Sequence, residues 1–172
     1  HGAPNHTLPV GTPINGAAVV LEIDTGDILA MVSTPTFSRD ALRDDPASIF
    51  ESPIARPALN RALEVPYQPG SIVKAPILVA AAPQGLWRPS QHIECTGHFL
   101  PGRDDVYRCW IYKRFGTTHG DDLSGEEAIK VSCNIFFYEL GRRLGPKGMA
   151  AAYGQYGIGE SIDQGVGRED EG

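Results

Sequence analysis

With 172 residues, 41% of them hydrophobic and 21% charged, the chain is long enough for one globular domain with a sizeable core. A formal net charge of -6 and a pI near 5.3 exclude a nucleic-acid partner, because phosphate binding needs clustered Lys and Arg and none are clustered here. No apolar run reaches the roughly 20 residues that span a bilayer. No signal peptide opens the chain, so any membrane anchor is expected outside this stretch.

Residues 1–15 are polar, rich in Pro and Gly, and read as a lead-in segment. Two β-rich runs, Gly16 to Glu22 and Ile28 to Ser33, flank the turn residues Asp24-Thr25-Gly26-Asp27 and predict an antiparallel hairpin. Both runs are nearly continuous in apolar residues, so the hairpin is expected to be buried on both faces beneath helices. Residues 34–58 carry four prolines and predict a long connection with a short helix in its middle.

After Tyr67-Gln68-Pro69-Gly70 a helix is predicted from Ser71 to about Ala82. It is apolar on every side except at Ser71 and Lys74 and is therefore expected to be central and buried. Pro76 lies inside it, and Pro83 and Gly85 end it. Residues 86–122 read as loop-rich and contain both tryptophans. Ser124 and Glu127 fit a capping box that opens a second helix running to about Lys130. A third helix runs from Ile135 to Leu144, ends at Gly145-Pro146, and is followed by a further short helix over Lys147 to Tyr156. From Gly157 onward the chain is Gly-rich and acidic, with no sign of a closing strand.

Three cysteines are too few for a disulfide scaffold. Cys95 and Cys109 share a polar loop region, whereas Cys133 sits in a helical pattern. Two unrelated thiols and a Cys95–Cys109 disulfide, which would need an oxidising compartment, both remain open. A zinc site joining these two to His98 or His119 matches no standard close-paired spacing, and no metal is expected.

Ser71 and Lys74 are three residues apart and so share a helix face. A serine hydroxyl must lose its proton to act as a nucleophile. A lysine can accept that proton where burial lowers its pKa, and Ile72, Val73, Ile77 and Leu78 surround Lys74 in sequence. The backbone N–H of Ser71, at a helix start, is suited to hold an oxyanion. The plain alternative is an N-cap serine beside a partly exposed lysine. Ser132-Cys133-Asn134 adds polar groups in an apolar setting: Ser132 as a proton relay and Asn134 as a substrate-orienting amide, or both as caps of the third helix.

Ser-x-x-Lys followed by Ser-x-Asn resembles the motif set of penicillin-binding proteins and related β-lactamases. Gly16 to Pro35, Asn60 to Lys74, Cys95-Thr96-Gly97, Arg108-Cys109-Trp110, His119-Gly120 and Ser132 to Tyr138 resemble the transpeptidase domain of class B, elongation-type members. The resemblance implies an α/β (α+β) fold of the penicillin-binding and serine β-lactamase type, an antiparallel sheet packed with helices. It implies a peptidoglycan D,D-transpeptidase in which Ser71 is the nucleophile, Lys74 the base, Ser132 the relay and Asn134 the substrate-binding amide. Stem peptides ending in D-Ala-D-Ala, β-lactam antibiotics and the cell-wall elongation machinery would be its partners. Its place would be the periplasmic or extracytoplasmic face of the membrane, and no cofactor is implied.

The family's third motif, Lys-Thr-Gly, is absent from the sequence; the nearest text is Pro146-Lys147-Gly148. Residues 16–172 are therefore expected to be the N-terminal portion of such a domain, with an incomplete sheet, exposed apolar faces, weak stability and little acylation in isolation. Two other functions share the first motif. A class A β-lactamase would need a Glu-x-x-x-Asn pattern after Asn134, which is missing, and a class D enzyme carries an apolar residue where Asn134 stands. A β-lactam sensor or inactive binding module is not distinguished by the sequence.

Overall fold

The computed structural model describes residues 9–161 and residue 165; most of the lead-in and nearly all of the stretch after Ser161 lie outside them. The chain forms two compact units, one built on Gln68–Glu160 and the other on the preceding chain through Tyr67.

In the earlier unit, β1 (Gly16–Leu21) and β2 (Ile28–Thr34) pair antiparallel with Val19 opposite Met31. The expected turn is present: Glu22 N–H donates to Asp27 O and Gly26 N–H to Glu22 O. The burial expected for this hairpin is not: Val20 is 52%, Leu29 61% and Val32 56% exposed. Apolar continuity reports what a strand can tolerate on both faces, and here no helix of the described residues covers either one. The long connection holds two short helices, α1 (Arg39–Asp44), capped by Ser38, and α2 (Pro46–Phe50), capped by Asp45. Its following turns close around Arg61, 3% exposed, whose guanidinium donates to the carbonyls of Ala55, Arg56 and Leu59. Ser33 ties that knot to β2 by donating to Leu59 O and accepting from Arg61 N–H. The guanidinium's fork of donors thus replaces regular secondary structure over these residues.

The later unit holds the main core. A 3-10 turn (Gly70–Val73) leads into α3 (Lys74–Ala81), and Gly70 has φ +61°, a conformation that favours glycine at the Pro-Gly corner. Helix α3 buries one stripe, Lys74, Ile77, Ala80 and Ala81, while Ile72 in the turn and Val79 are 75% and 57% exposed. The expected all-round burial is therefore corrected to one face, which packs mainly on α6.

The region read as loops is organised by short strands. β3 (Ile93–Cys95) pairs with β6 (Gly120–Leu123), and β4 (His98–Leu100) pairs with β5 (Arg103–Arg108), both antiparallel. Gly97, φ +84°, lies so close to the Tyr112 ring that an added Cβ would sit 2.5 Å from it. α4 (Trp110–Phe115) follows β5, and α5 (Gly125–Lys130) opens with the full Ser124/Glu127 capping box. α6 (Asn134–Gly154) is the longest element, broken at Gly145 (φ 65°, ψ 176°) just before Pro146, where the sequence places a helix end. Ile77, Ala81, Leu123, Ala128, Phe136 and Leu140 pack together with all three cysteines. Among the described residues the architecture is mixed α/β: the earlier unit holds one two-stranded antiparallel sheet, and the later unit holds two more together with α3 to α6.

Candidate active site

Three chain segments place the polar residues singled out by the sequence. Ser71 sits exposed in the 3-10 turn, and Lys74 opens α3 with 9% exposure. Ser132 comes from the turn between α5 and α6, and Asn134 is the first residue of α6. The capping alternative fails at both places. No side-chain cap bond is made at the start of the 3-10 turn or of α6, whose cap position is held by Cys133.

Lys74 Nζ has three hydrogen bonds, one for each N–H of an ammonium group: to Ser132 O (2.9 Å), Ser132 Oγ (3.0 Å) and Asn134 Oδ1 (2.7 Å). Ser132 Oγ in turn donates to Ser71 Oγ at 3.0 Å. A continuous Lys74–Ser132–Ser71 chain results. Burial lowers the Lys74 pKa from its ordinary value, with nearby cysteine sulfurs acting in the opposite direction. The Phe137 ring centroid is 5.5 Å from Nζ. Asn134 is fixed at its other end by donating to Arg108 O (3.1 Å). A cleft of about 720 Å³ opens beside Ser71, Lys74 and Asn134, walled by Ile77, Phe137 and Tyr138.

The turn that presents Ser132 has a definite form. Val131 caps α5, Ser132 N–H donates to Ile129 O, and Cys133 N–H donates to Ala128 O. These are the paired bonds of a Schellman motif, whose left-handed position is usually glycine. Here it is Ser132, at φ +52°. A side chain in that strained position costs roughly 1–2 kcal/mol, and its hydroxyl is the link between Lys74 and Ser71.

The cysteines behave differently from either reading left open by the sequence. Cys95 and Cys109 are not bonded, and neither is isolated. The sulfurs of Cys95, Cys109 and Cys133 and a ring nitrogen of His119 all lie within 4.8 Å of one another. His119 Nδ1 is 3.6 Å from Cys95 Sγ and 3.4 Å from Cys109 Sγ. Tetrahedral zinc with three thiolates and an imidazole spaces its donors by about 3.5–3.8 Å, so this set fits such an ion. The three cysteines are at most 1% exposed, which suits a closed structural site rather than one with an open coordination position. Hydrogen bonding from the Cys133 thiol holds Cys109 well below the usual thiol range and pushes Cys133 up. Sequence spacing conceals this cluster because its donors come from β3, the start of α4, the loop before β6 and the start of α6. His98, the other histidine weighed, instead lies at a tilt against the Tyr112 ring.

Residues 16–172 match the family model described as the penicillin binding protein transpeptidase domain. Among curated proteins, the chain is 32% identical over 162 residues to the peptidoglycan D,D-transpeptidase MrdA of Acinetobacter baumannii, covering 91% of this chain and 23% of that one. It is 35% identical over 160 residues to the peptidoglycan D,D-transpeptidase PbpA of Mycolicibacterium smegmatis, covering 83% and 30%. The chain therefore spans about a quarter to a third of the length of these relatives. Among solved structures, Pseudomonas aeruginosa PBP2 in complex with WCK 5153 aligns with a TM-score of 0.71 and 31% identity, over 87% of this chain and 32% of that one. The imipenem acyl-enzyme of penicillin-binding protein A from M. tuberculosis aligns with a TM-score of 0.72 and 27% identity, over 90% and 37%.

Proposed function

Because the chain belongs to the penicillin-binding protein transpeptidase family, we propose that it carries the nucleophile side of a serine acyltransferase that cross-links peptidoglycan. The observation that carries this reading is the Lys74–Ser132–Ser71 hydrogen-bond chain. With Lys74 neutral, its lone pair accepts from Ser132 Oγ–H, and Ser132 Oγ accepts from Ser71 Oγ–H. The two amine hydrogens remain on Ser132 O and Asn134 Oδ1. Ser71 Oγ then attacks the penultimate D-alanine carbonyl of a stem peptide while its proton passes through Ser132 to Lys74. The Ser71 N–H, in the first turn where no intrahelical acceptor exists, faces the task of holding the oxyanion. The C–N bond breaks, terminal D-alanine leaves with that proton, and the acyl group stays on Ser71. An amine of a second stem peptide takes the acyl group, and Ser71 recovers its proton. β-Lactams would acylate the same oxygen.

Asn134 is well placed to orient the acyl chain because its amide is anchored at both ends yet borders the cleft. Cys95, Cys109, Cys133 and His119 would hold a structural zinc. Such an ion would supply cross-linking energy to the fold and would pin Cys133 between Ser132 and Asn134. An extracytoplasmic location and association with the cell-wall elongation machinery accompany this reading; no helix among the described residues is long and apolar enough to cross a membrane.

The test uses the complete gene product with an acyl-D-Ala-D-Ala peptide and an acceptor amine. Release of D-alanine together with the new amide is expected, and both are lost in Ser71→Ala. Turnover of a penicillin without a lasting adduct would favour the β-lactamase reading instead.

A further inference from the structure

The segment Arg108-Cys109-Trp110 meets the turn Val131–Asn134 residue by residue. Arg108 O accepts from Asn134 Nδ2, the sulfurs of Cys109 and Cys133 share one cluster, and Trp110 Nε1 donates to Val131 O at 2.9 Å. Val131 is the C-cap of α5, and a carbonyl there has no donor from its own helix. The Schellman bonds satisfy Ala128 O and Ile129 O but leave the Val131 carbonyl to an outside donor, and the indole is that donor. The ring is itself held in place, 5.6 Å from the His119 ring and 6.5 Å edge-on from Phe115. Val131 O belongs to the peptide whose nitrogen is that of Ser132, so its direction sets the rotation of the strained Ser132 backbone.

We propose that Trp110 is a positioning residue for acyl transfer: its indole N–H clamps the Val131–Ser132 peptide and thereby keeps Ser132 Oγ between Lys74 and Ser71. The proposal rests on Ser71 being the acylated nucleophile. Trp110 acts through Val131 and the Ser132 backbone rather than on the reacting atoms.

Trp110→Phe removes the N–H and keeps an aromatic ring against His119. In the complete gene product, acylation by a fluorescent penicillin is followed over a range of drug concentrations, which separates the dissociation constant from the first-order acylation rate constant. Loss of one neutral hydrogen bond that acts on the barrier is expected to lower the rate constant about three- to tenfold. The dissociation constant should stay within about twofold, since a clamp on the relay does not touch drug binding. In a Ser132→Gly background, which has no relay hydroxyl to aim, Trp110→Phe should cause no further loss. An unchanged rate constant, an effect confined to the dissociation constant, or a full additional loss in Ser132→Gly would each overturn the proposal. Trp110→Tyr is the second variant, and failure of both to fold would make the residue purely structural and equally overturn it. Labelling that survives Ser71→Ala would instead overturn the acyl-enzyme reading beneath it.

Discussion

Two polar centres share one short turn and treat it in opposite ways. Ser132 and Asn134 face Lys74, where three hydrogen bonds surround an amine and a hydroxyl reaches Ser71. Cys133, between them, faces away into a buried group with Cys95, Cys109 and His119. The first centre borders a cleft, and in the proposed reaction it moves a proton. The second is closed, soft in its donor chemistry, and built to hold still. The middle position of Ser-x-Asn is therefore not a spacer in this chain: it joins the Ser132–Asn134 turn to the buried sulfur cluster.

Breaking the first centre should have the largest effect. Lys74→Met in the complete gene product should lower the acylation rate constant by about 10²–10⁴-fold, the usual worth of a general base, with the protein still folded by circular dichroism. A variant that acylates at the parental rate would remove Lys74 from the chemistry.

Breaking the second centre should act on stability before chemistry. We expect one zinc per chain by elemental analysis, and near-complete loss of it in Cys133→Ser. Stripping an ion present at a thousandfold excess over its dissociation constant destabilises the folded state by about 4 kcal/mol, measurable as a fall in the denaturant midpoint. A metal-free protein of unchanged stability would reduce the cluster to packed thiols.

The contrast also explains what the sequence reveals and what it hides. Ser71 and Lys74 are legible because helical spacing alone brings them together, and Ser124 with Glu127 is legible because a capping box is local. Ser132 and Asn134 are recognisable as a pair, but the Schellman turn that aims Ser132 is not, since a serine at φ +52° departs from the glycine that would mark it. Cys95, Cys109 and His119 are weighed together from the sequence but set aside on spacing, and Cys133 and the role of Trp110 are missed, because their partners lie on elements distant in sequence. For the hairpin, its turn residues predict the pairing, but its burial depends on neighbours that the strand's own residues do not specify. Likewise α3 is apolar all round, yet only the face toward α6 is buried.

Titration sharpens the comparison further. Burial lowers the Lys74 pKa, so the neutral base is populated below the ordinary value of 10.5. Acylation should rise with pH and level off with a midpoint below 10.5. The same shift makes stability rise with pH between the folded-state value and 10.5, because the unfolded chain binds more protons there. A rate that shows no rise with pH anywhere below 10.5 would contradict a lysine base.

The smallest expected effect lies outside both centres. Glu139 is held at about 2 by Arg142, and secondarily by Arg143, against burial. Its depressed value contributes stability above the ordinary 4.5, lost as pH falls toward 2. Because Arg142 is largely exposed, solvent screens its pair with Glu139 and the contribution to stability is small. Glu139→Gln should therefore lower the melting midpoint by a few degrees at pH 7 and by less at pH 2, where the carboxylate is only partly ionised, while leaving acylation unchanged.

The most direct test is the covalent bond itself. The complete gene product is incubated with a β-lactam, digested, and mapped by mass spectrometry. The account predicts one drug adduct per chain, located on Ser71 and absent from Ser71→Ala. An adduct on any other residue, or one that persists in Ser71→Ala, would contradict it.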